Sequence, residues 1–157
     1  MSDSDTPINL EQIKKNSKLF AMLDDEGRSR LLAVGVHENV EPDTTLFVEG
    51  DTGSTFYIVQ DGQLKVLIDK GHRKEQVATL SAGACVGEIA ALMNEERSAT
   101  VVTDGTVAAL RFDASEVQKI LSDYPTVREA LVKEALERSE ENLQELLRVT
   151  QSDGDND

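Results

Sequence analysis

The chain has 157 residues, of which 39% are hydrophobic and 29% are charged, and its formal net charge at pH 7 is −14. This length suits one domain with an adequate core. The negative charge argues against a duplex DNA partner, which requires clustered Lys and Arg, and against anionic membrane surfaces. The single cysteine, Cys85, excludes an internal disulfide. Without a signal peptide or a long apolar run, the sequence predicts a cytoplasmic protein.

The first part of the chain predicts a small helical region. Residues 1–7 are short and acidic and are expected to be disordered. Residues 8–35 are expected to form the N-terminal helices, the first of them starting with Pro7 at the first helical position. Either Asp24 or Asp25 is expected to cap a second helix, because a short carboxylate accepts hydrogen bonds from the free N–H groups of a first helical turn.

Residues 36–112 have the pattern of a β domain. Short runs of alternating apolar and polar residues are separated by Gly, Asp and Pro, which gives seven or eight predicted strands. Asp61-Gly62 is the strongest hairpin signal in the chain, and Asp104-Gly105 predicts another turn. Regularly spaced short strands of this kind indicate a small barrel or a double-sheet jelly roll.

Residues 113–150 are expected to form two C-terminal helices. Pro125 separates them, and Thr126 with Glu129 predicts a capping box at the start of the second. The following residues 151–157 form an acidic tail. A 3-4 repeat in the last helix suggests a pairing surface, and therefore a possible homodimer through that helix. The residues of this repeat are Leu136, Ser139, Leu143 and Leu146.

Residues 86–102, VGEIAALMNEERSATVV, carry the strongest functional signal. Gly87 permits a backbone to approach a ligand without a Cβ in the way. Glu88 to Met93 predicts a short helix whose first N–H groups point back toward that glycine, an arrangement that favours an anion. Arg97 supplies a planar fork that matches phosphate oxygens. In an acidic chain, this arginine gains importance for capturing an anionic ligand.

This combination resembles the phosphate-binding cassette of the cyclic nucleotide-binding domain family. The resemblance is carried by Gly87-Glu88-Ile89-Ala90 and by Arg97-Ser98-Ala99-Thr100-Val101, and the order of elements from Leu10 to about Val149 also resembles that family. It implies a mainly β fold with flanking helices: a double-stranded β-helix, or jelly-roll, barrel with an N-terminal helical bundle and two C-terminal helices. It further implies a single binding domain over residues 8–150.

The resemblance also implies a role for each residue of the cassette. Glu88 would bind the ribose 2′-hydroxyl, and Arg97 would bind the exocyclic phosphate oxygens. Serine at position 98 is compatible with cAMP, whereas threonine there is associated with cGMP. The full set of expected ligand-binding residues is Gly87, Glu88, Ile89, Ala90, Arg97, Ser98 and Ala99. Thr100 and Val101 are expected to pack inside the barrel.

In the resembled family, a residue of the last helix covers the base. The sequence does not single out that residue. Leu131, Ala135 and Leu136 are predicted on the inward face of this helix, and an ordinary core position is the simpler interpretation of each. The segment Asp123-Tyr124-Pro125 is the predicted pivot between the two C-terminal helices.

The predicted function is that of a stand-alone cyclic nucleotide receptor without enzymatic activity or a cofactor. It would bind cAMP, or less readily cGMP, and signal by helix rearrangement to an unidentified effector protein, with neither nucleic acid nor membrane as partner. The 157 residues contain no second domain to read out the signal, so output is expected to pass through another protein or through self-association. The alternative is a partner-binding adaptor that keeps this fold and needs no nucleotide.

An enzyme is the weakest interpretation. A metal-dependent jelly-roll enzyme needs two or three histidines and a carboxylate converging in the barrel, and a phosphodiesterase also needs metal ligands. The only histidines, His37 and His72, lie in unrelated places in the sequence. Cys85 is expected to be a small buried residue rather than a reactive thiol.

Overall fold

The structure is a computed structural model, and it describes residues 9–138. The helices are α1 (Leu10–Asn16), α2 (Lys18–Met22), α3 (Asp25–Ala33), α4 (Glu88–Met93), α5 (Ala114–Leu121) and α6 (residues 125–138). The strands are β1 (Val36–Val40), β2 (Thr45–Phe47), β3 (Thr55–Asp69), β4 (Lys74–Leu80), β5 (Cys85–Val86) and β6 (Thr100–Asp113). The predicted disordered N-terminus 1–7, the tail 151–157 and the 3-4 repeat beyond Leu136 lie outside the described residues.

All strand pairs in the sheet are antiparallel. The strand order is β1-β6-β3-β4, while β2 pairs with β6 and β5 pairs with β3. The long strands β3 and β6 pair from Thr55↔Asp113 to Leu67↔Thr100 and form the centre of the domain. The mainly β fold with flanking helices is confirmed, and the topology is consistent with the predicted jelly roll.

The two predicted turns inside the barrel are wrong. Asp61-Gly62 lies within β3 and Asp104-Gly105 lies within β6, so the segments on either side do not pair with each other as a hairpin. Instead, both long strands bend together, with register shifts around Asp61. Gly62 has φ 98°, and a Cβ there would lie 2.6 Å from the carbonyl oxygen of Thr106. An Asp-Gly pair therefore serves here as a bulge that bends a continuous strand.

Two apolar clusters divide the core. The first lies between the helices and one end of the central strands, where Phe112 stacks on Phe56 at 4.9 Å and meets the edge of Phe20 at 6.4 Å between ring centroids. The second fills the other face of the sheet and includes Phe47, Val59 and further residues of the central strands. The alternation of side chains along β3 and β6 supplies both clusters.

Two of the predicted helix starts are wrong. Helix α1 begins at Leu10 rather than at Pro7, because the Asn9 side chain caps it by accepting from Gln12 N at 3.2 Å. Helix α6 begins at residue 125, where proline occupies the first helical position, so Thr126 lies inside the first turn and cannot head a capping box.

Helix α3 has the predicted cap, since Asp24 accepts from Gly27 N at 2.7 Å. Among residues 9–138, no helix combines the length and the apolar character needed to cross a membrane.

Candidate functional site

The cassette forms a tight turn between β5 and β6. Gly87 adopts φ 84° and precedes α4, and Asn94 ends that helix with φ 54°. The backbone of Arg97 is then fixed on both sides, because its N–H donates to Asp51 O at 2.7 Å and its carbonyl accepts from Gly50 N at 2.8 Å. The predicted short helix over Glu88–Met93 is confirmed, and β6 begins at Thr100.

The Arg97 guanidinium is held against the start of α4. Its side chain donates from Nη1 to Gly87 O at 3.0 Å and from Nη2 to Thr55 O at 2.7 Å, and its Cζ lies 3.9 Å from the centroid of the Phe47 ring. The residue is only 6% exposed, and within residues 9–138 it has no ion-pair partner. Burial lowers the pKa of Arg97. A buried cation without a counter-charge favours an anionic ligand.

Glu88 is the second buried charge of the site. It is 7% exposed, its Oε2 has no hydrogen-bond partner, and it forms no ion pair with any described residue. Burial raises the pKa of Glu88 from 4.5 to about 7. A hydrogen bond from Cys85 and the positive charge of Arg138 act in the opposite direction and lower the pKa, whereas the negative charge of Glu134 raises it. The carboxyl can therefore accept a hydrogen bond from a ligand hydroxyl.

Both buried charges line one cavity of about 230 Å³. The structure brings all seven predicted residues to its wall: Gly87, Glu88, Ile89, Ala90, Arg97, Ser98 and Ala99. Ser98 is exposed at the surface, and Ala99 is partly buried. A second, wider cleft of about 480 Å³ shares Arg97 and Ser98 and adds Glu95 and Glu96. The cleft beside Arg97 therefore has an acidic rim formed by Glu95 and Glu96.

Sequence reasoning missed further lining residues. Val86 and Val101 belong to the cassette itself, and Cys85 directly precedes it. The others come from segments distant from the cassette: Asn16, Phe47, Val66, Leu80 and Arg138. The alternation along β3 and β4 could have indicated Val66 and Leu80 as inward positions, but not their proximity to the cassette. Val101 is buried as predicted, and it also contributes to the cavity wall.

Helix α6 reaches the cavity through Arg138. This residue bonds Glu134 Oε1 at 3.2 Å and is the last described residue of the helix. Leu131 and Ala135 are buried in the first apolar cluster, as expected of core positions. The prediction that Leu136 faces inward is wrong, because it is 64% exposed. One residue is about 100° of helical rotation, so Leu136 points away from the face defined by Ala135.

The sequence comparisons agree with this geometry. A family model described as "Cyclic nucleotide-binding domain" matches residues 37–124. A cAMP-dependent protein kinase regulatory subunit of Blumeria graminis is 31% identical over 131 residues, covering 75% of this chain and 34% of the relative. The Pycsar effector protein PaPycTIR of Pseudomonas aeruginosa is 33% identical over 130 residues, covering 82% of this chain and 41% of the relative.

A solved structure of a cyclic nucleotide-binding protein is also similar to this chain. The regulatory domain of Toxoplasma gondii PKA, crystallised with cAMP, matches with a TM-score of 0.65 and 27% identity, covering 78% of this chain and 48% of that one. The chain described here belongs to the cyclic nucleotide-binding domain family. It spans well under half the length of the two curated relatives.

Gly87 provides a first test of the site geometry. A Cβ at this position would lie 2.7 Å from both Arg97 Nη1 and a ring carbon of Phe47, at a φ of 84° that side chains rarely adopt. We expect Gly87→Ala to lower the free energy of unfolding by about 2–5 kcal/mol, from backbone strain and overpacking together. Chemical denaturation would measure this change.

Gly71→Ala is the matched control for this substitution. Gly71 has a similar φ of 96°, but no atom lies within 4 Å of its Cβ position. This variant should show the effect of backbone strain alone, and therefore the smaller decrease in the free energy of unfolding. Equal losses in the two variants would contradict the close packing of Arg97 and Phe47 against Gly87.

Proposed function

We propose that the cavity binds a cyclic nucleotide, cAMP in preference to cGMP, and that binding rearranges the helices to signal to a partner protein. The observation that carries this proposal is Arg97, a buried guanidinium that lines the cavity without a counter-charge among the described residues. A monoanionic cyclic phosphate would supply the missing negative charge. Its two exocyclic oxygens match the guanidinium fork.

The remaining cassette residues have complementary roles in this proposal. The backbone at Gly87, Ile89 and Ala90 would line the phosphate, and the Ala99 amide would add a donor. The unpartnered Oε2 of Glu88 would accept the ribose 2′-hydroxyl.

A sugar and a base would fill the rest of the cavity. Phe47, Val66, Leu80 and Val101 provide an apolar wall. Apolar walls with a few convergent polar groups are typical of small-molecule sites. Ser98 at the mouth of the cavity, together with the cAMP-bound relative, favours cAMP.

Signal output would use the two helices that reach the cavity. Asn16 at the end of α1 and Arg138 in α6 both line the cavity wall. A ligand in the cavity can therefore have different affinities for different arrangements of these two helices. The segment joining α5 to α6 is tied to α3 by two contacts, Tyr124 Oη to Asp24 Oδ1 at 3.0 Å and Arg30 Nη1 to Asp123 Oδ2 at 2.9 Å. Movement about residues 123–125 would therefore be transmitted to the N-terminal helices.

The alternative function is a partner-binding adaptor that needs no nucleotide. The exposed apolar pair Val132 and Leu136, four residues apart on α6, favours a docking role for this helix. Such a role is compatible with either function, because a receptor also needs an output surface. Dimerisation through the last helix remains a prediction.

Thermal unfolding with added nucleotide distinguishes the two functions. At about a hundred times its dissociation constant, a ligand specific for the folded state adds about 2.7 kcal/mol to the free energy of unfolding. For a domain of this size, we expect cAMP to raise the Tm by roughly 5–10 °C. A smaller shift is expected with cGMP.

The control ligand is 5′-AMP, which has the same base and sugar with an open, dianionic phosphate. It should produce little change in the Tm. If none of these nucleotides shifts the Tm at millimolar concentration, the receptor function is contradicted and the adaptor is favoured.

A further inference from the structure

The loop between β2 and β3, residues 48–54, contacts Arg97 at both its backbone and its side chain. At the backbone, Gly50 N donates to Arg97 O at 2.8 Å, and Arg97 N donates to Asp51 O at 2.7 Å. At the side chain, Nη2 donates at 2.7 Å to the carbonyl oxygen of Thr55, the residue that ends this loop and begins β3. The position of the guanidinium in the cavity therefore depends on this loop as well as on the cassette.

Within this loop, Gly53 lies directly against the guanidinium. A Cβ at position 53 would have three nearest heavy atoms, and all of them belong to Arg97: Nη2 at 2.9 Å, Nε at 3.5 Å and Cζ at 3.6 Å. Unlike Gly50 and Gly87, Gly53 does not have a positive φ, so its backbone conformation does not itself require glycine. The lack of a side chain at position 53 is therefore required by the space that Arg97 occupies.

An added Cβ would displace the guanidinium rather than the loop. The loop is anchored next to Gly53, because Ser54 O accepts from Ala114 N at 2.7 Å at the start of α5. The guanidinium, by contrast, is the end of a flexible side chain. It already contacts the Phe47 ring at 3.9 Å, which leaves little room for a shift within its present contacts. A methyl group at position 53 would therefore force Nη2 away from its carbonyl partner.

We propose that Gly53 is a positioning residue for ligand recognition, which leaves the space that keeps the Arg97 fork bonded to Thr55 O and aligned for an anion. Gly53 is not part of the cavity wall and would act only through Arg97. This inference rests on the proposed function, because it assumes that the guanidinium binds the ligand phosphate.

The affinity test is a double-mutant cycle between positions 53 and 97. We expect Gly53→Ala to bind cAMP roughly ten- to a hundredfold more weakly, as for the loss of one hydrogen bond to a charged group. Lysine at position 97 lacks the Nη2 branch, which is the one atom that a Cβ would approach too closely. In the Arg97→Lys background, Gly53→Ala should therefore change the affinity by no more than about threefold. Isothermal titration calorimetry would measure all four proteins.

A second readout needs no ligand. The side-chain Nε–H of Arg97 can be observed by ¹⁵N NMR and identified by its absence from Arg97→Lys. We expect Gly53→Ala to shift this signal and to accelerate its exchange with solvent, because the guanidinium loses a fixed contact. Ser54→Ala is the matched control, since it changes an exposed side chain of the same loop and keeps the carbonyl bonded to α5. It should keep both the wild-type signal and the wild-type affinity.

These measurements separate the positioning role from the proposed function. If the wild type binds cAMP and folded Gly53→Ala keeps its Arg97 signal and its affinity, the positioning role is overturned while the proposed function stands. An equal loss of affinity in the wild-type and Arg97→Lys backgrounds would also overturn it, because Gly53 would then act without the fork. If the wild type binds no cyclic nucleotide, the proposed function itself fails, and this inference fails with it.

Folding of the variants keeps the test decisive. If Gly53→Ala does not fold alone, it should fold when combined with Arg97→Lys, and that rescue would support the contact with the guanidinium. Failure of both proteins to fold would overturn the proposal, because glycine would then be required by the loop itself. Far-UV circular dichroism would establish which variants are folded.

Discussion

Arg97→Ala should weaken cAMP binding by about 2–5 kcal/mol, which corresponds to roughly 30- to several-thousand-fold in the dissociation constant. The guanidinium is buried, and its two bonds to carbonyl oxygens do not neutralise its charge. In the proposed complex, the cyclic phosphate neutralises it. Removing the cation would leave the phosphate facing an acidic rim that includes Glu95 and Glu96. Isothermal titration calorimetry would measure the loss.

Two further variants separate charge from geometry. Arg97→Lys keeps the positive charge but loses the planar fork, so its affinity should lie between those of the wild type and Arg97→Ala. Arg73→Ala removes a cation from the exposed turn between β3 and β4 and changes the net charge by the same amount. It should bind like the wild type. Far-UV circular dichroism would establish that each variant is folded. Wild-type affinity in folded Arg97→Ala would contradict the assignment.

Glu88→Gln should make the ligand-free protein more stable at pH 8 while weakening its affinity for cAMP. The pKa of Glu88 is about 7 in the folded protein against 4.5 for an ordinary glutamate, so the folded state binds the proton more tightly than the unfolded state does. Stability therefore decreases as pH rises from about 4.5 to about 7, by roughly 3 kcal/mol for this group. Glutamine has no charge to bury and avoids that loss.

Chemical denaturation at several pH values would measure this gain in stability. We expect Glu88→Gln to exceed the wild type by up to roughly 3 kcal/mol at pH 8 and to approach it near pH 4, where Glu88 is protonated. Glu129→Gln, at an exposed position of α6, is the matched control and should show no such pH-dependent gain. Equal stabilities of wild type and Glu88→Gln at pH 8 would contradict the buried, unpartnered state of the carboxyl.

The loss of affinity in Glu88→Gln should depend on the ligand hydroxyl. We expect cAMP to bind about 1.5–3 kcal/mol more weakly to this variant, as for a hydrogen bond to a charged group. The wild type should bind 2′-deoxy-cAMP more weakly than cAMP by a similar free energy. The variant should bind 2′-deoxy-cAMP only slightly more weakly than it binds cAMP. Such non-additivity is the sign of a direct contact between the two groups. Additive losses would place the 2′-hydroxyl elsewhere.

The cassette could be predicted from the sequence because its parts are close together in the chain. Gly87, Glu88 and Arg97 are separated by one short helix and one turn, so local geometry alone brings them to one place. Each residue also has a chemical property that indicates its position: freedom at positive φ, a charge, or a planar fork. The structure brings all seven predicted residues to one cavity.

The other cavity walls could not be predicted, because they depend on the bend in β3 and β6. Asp-Gly is equally suited to a hairpin turn and to a bulge, and only the pairing of β3 with β6 on both sides of Gly62 distinguishes the two. That bend curves the sheet, so residues as distant in sequence as Phe47 and Leu80 line the same cavity. Arg138 was missed because a charged residue on a helix is ordinarily a solvent-exposed one.

A crystal structure of the protein with bound cAMP is the most direct test of the proposed site. We expect an exocyclic phosphate oxygen about 3 Å from a guanidinium nitrogen of Arg97 and the ribose 2′-hydroxyl at hydrogen-bond distance from Glu88. A nucleotide bound elsewhere on the molecule, or a phosphate that lay in this cavity without touching Arg97, would contradict the proposed site.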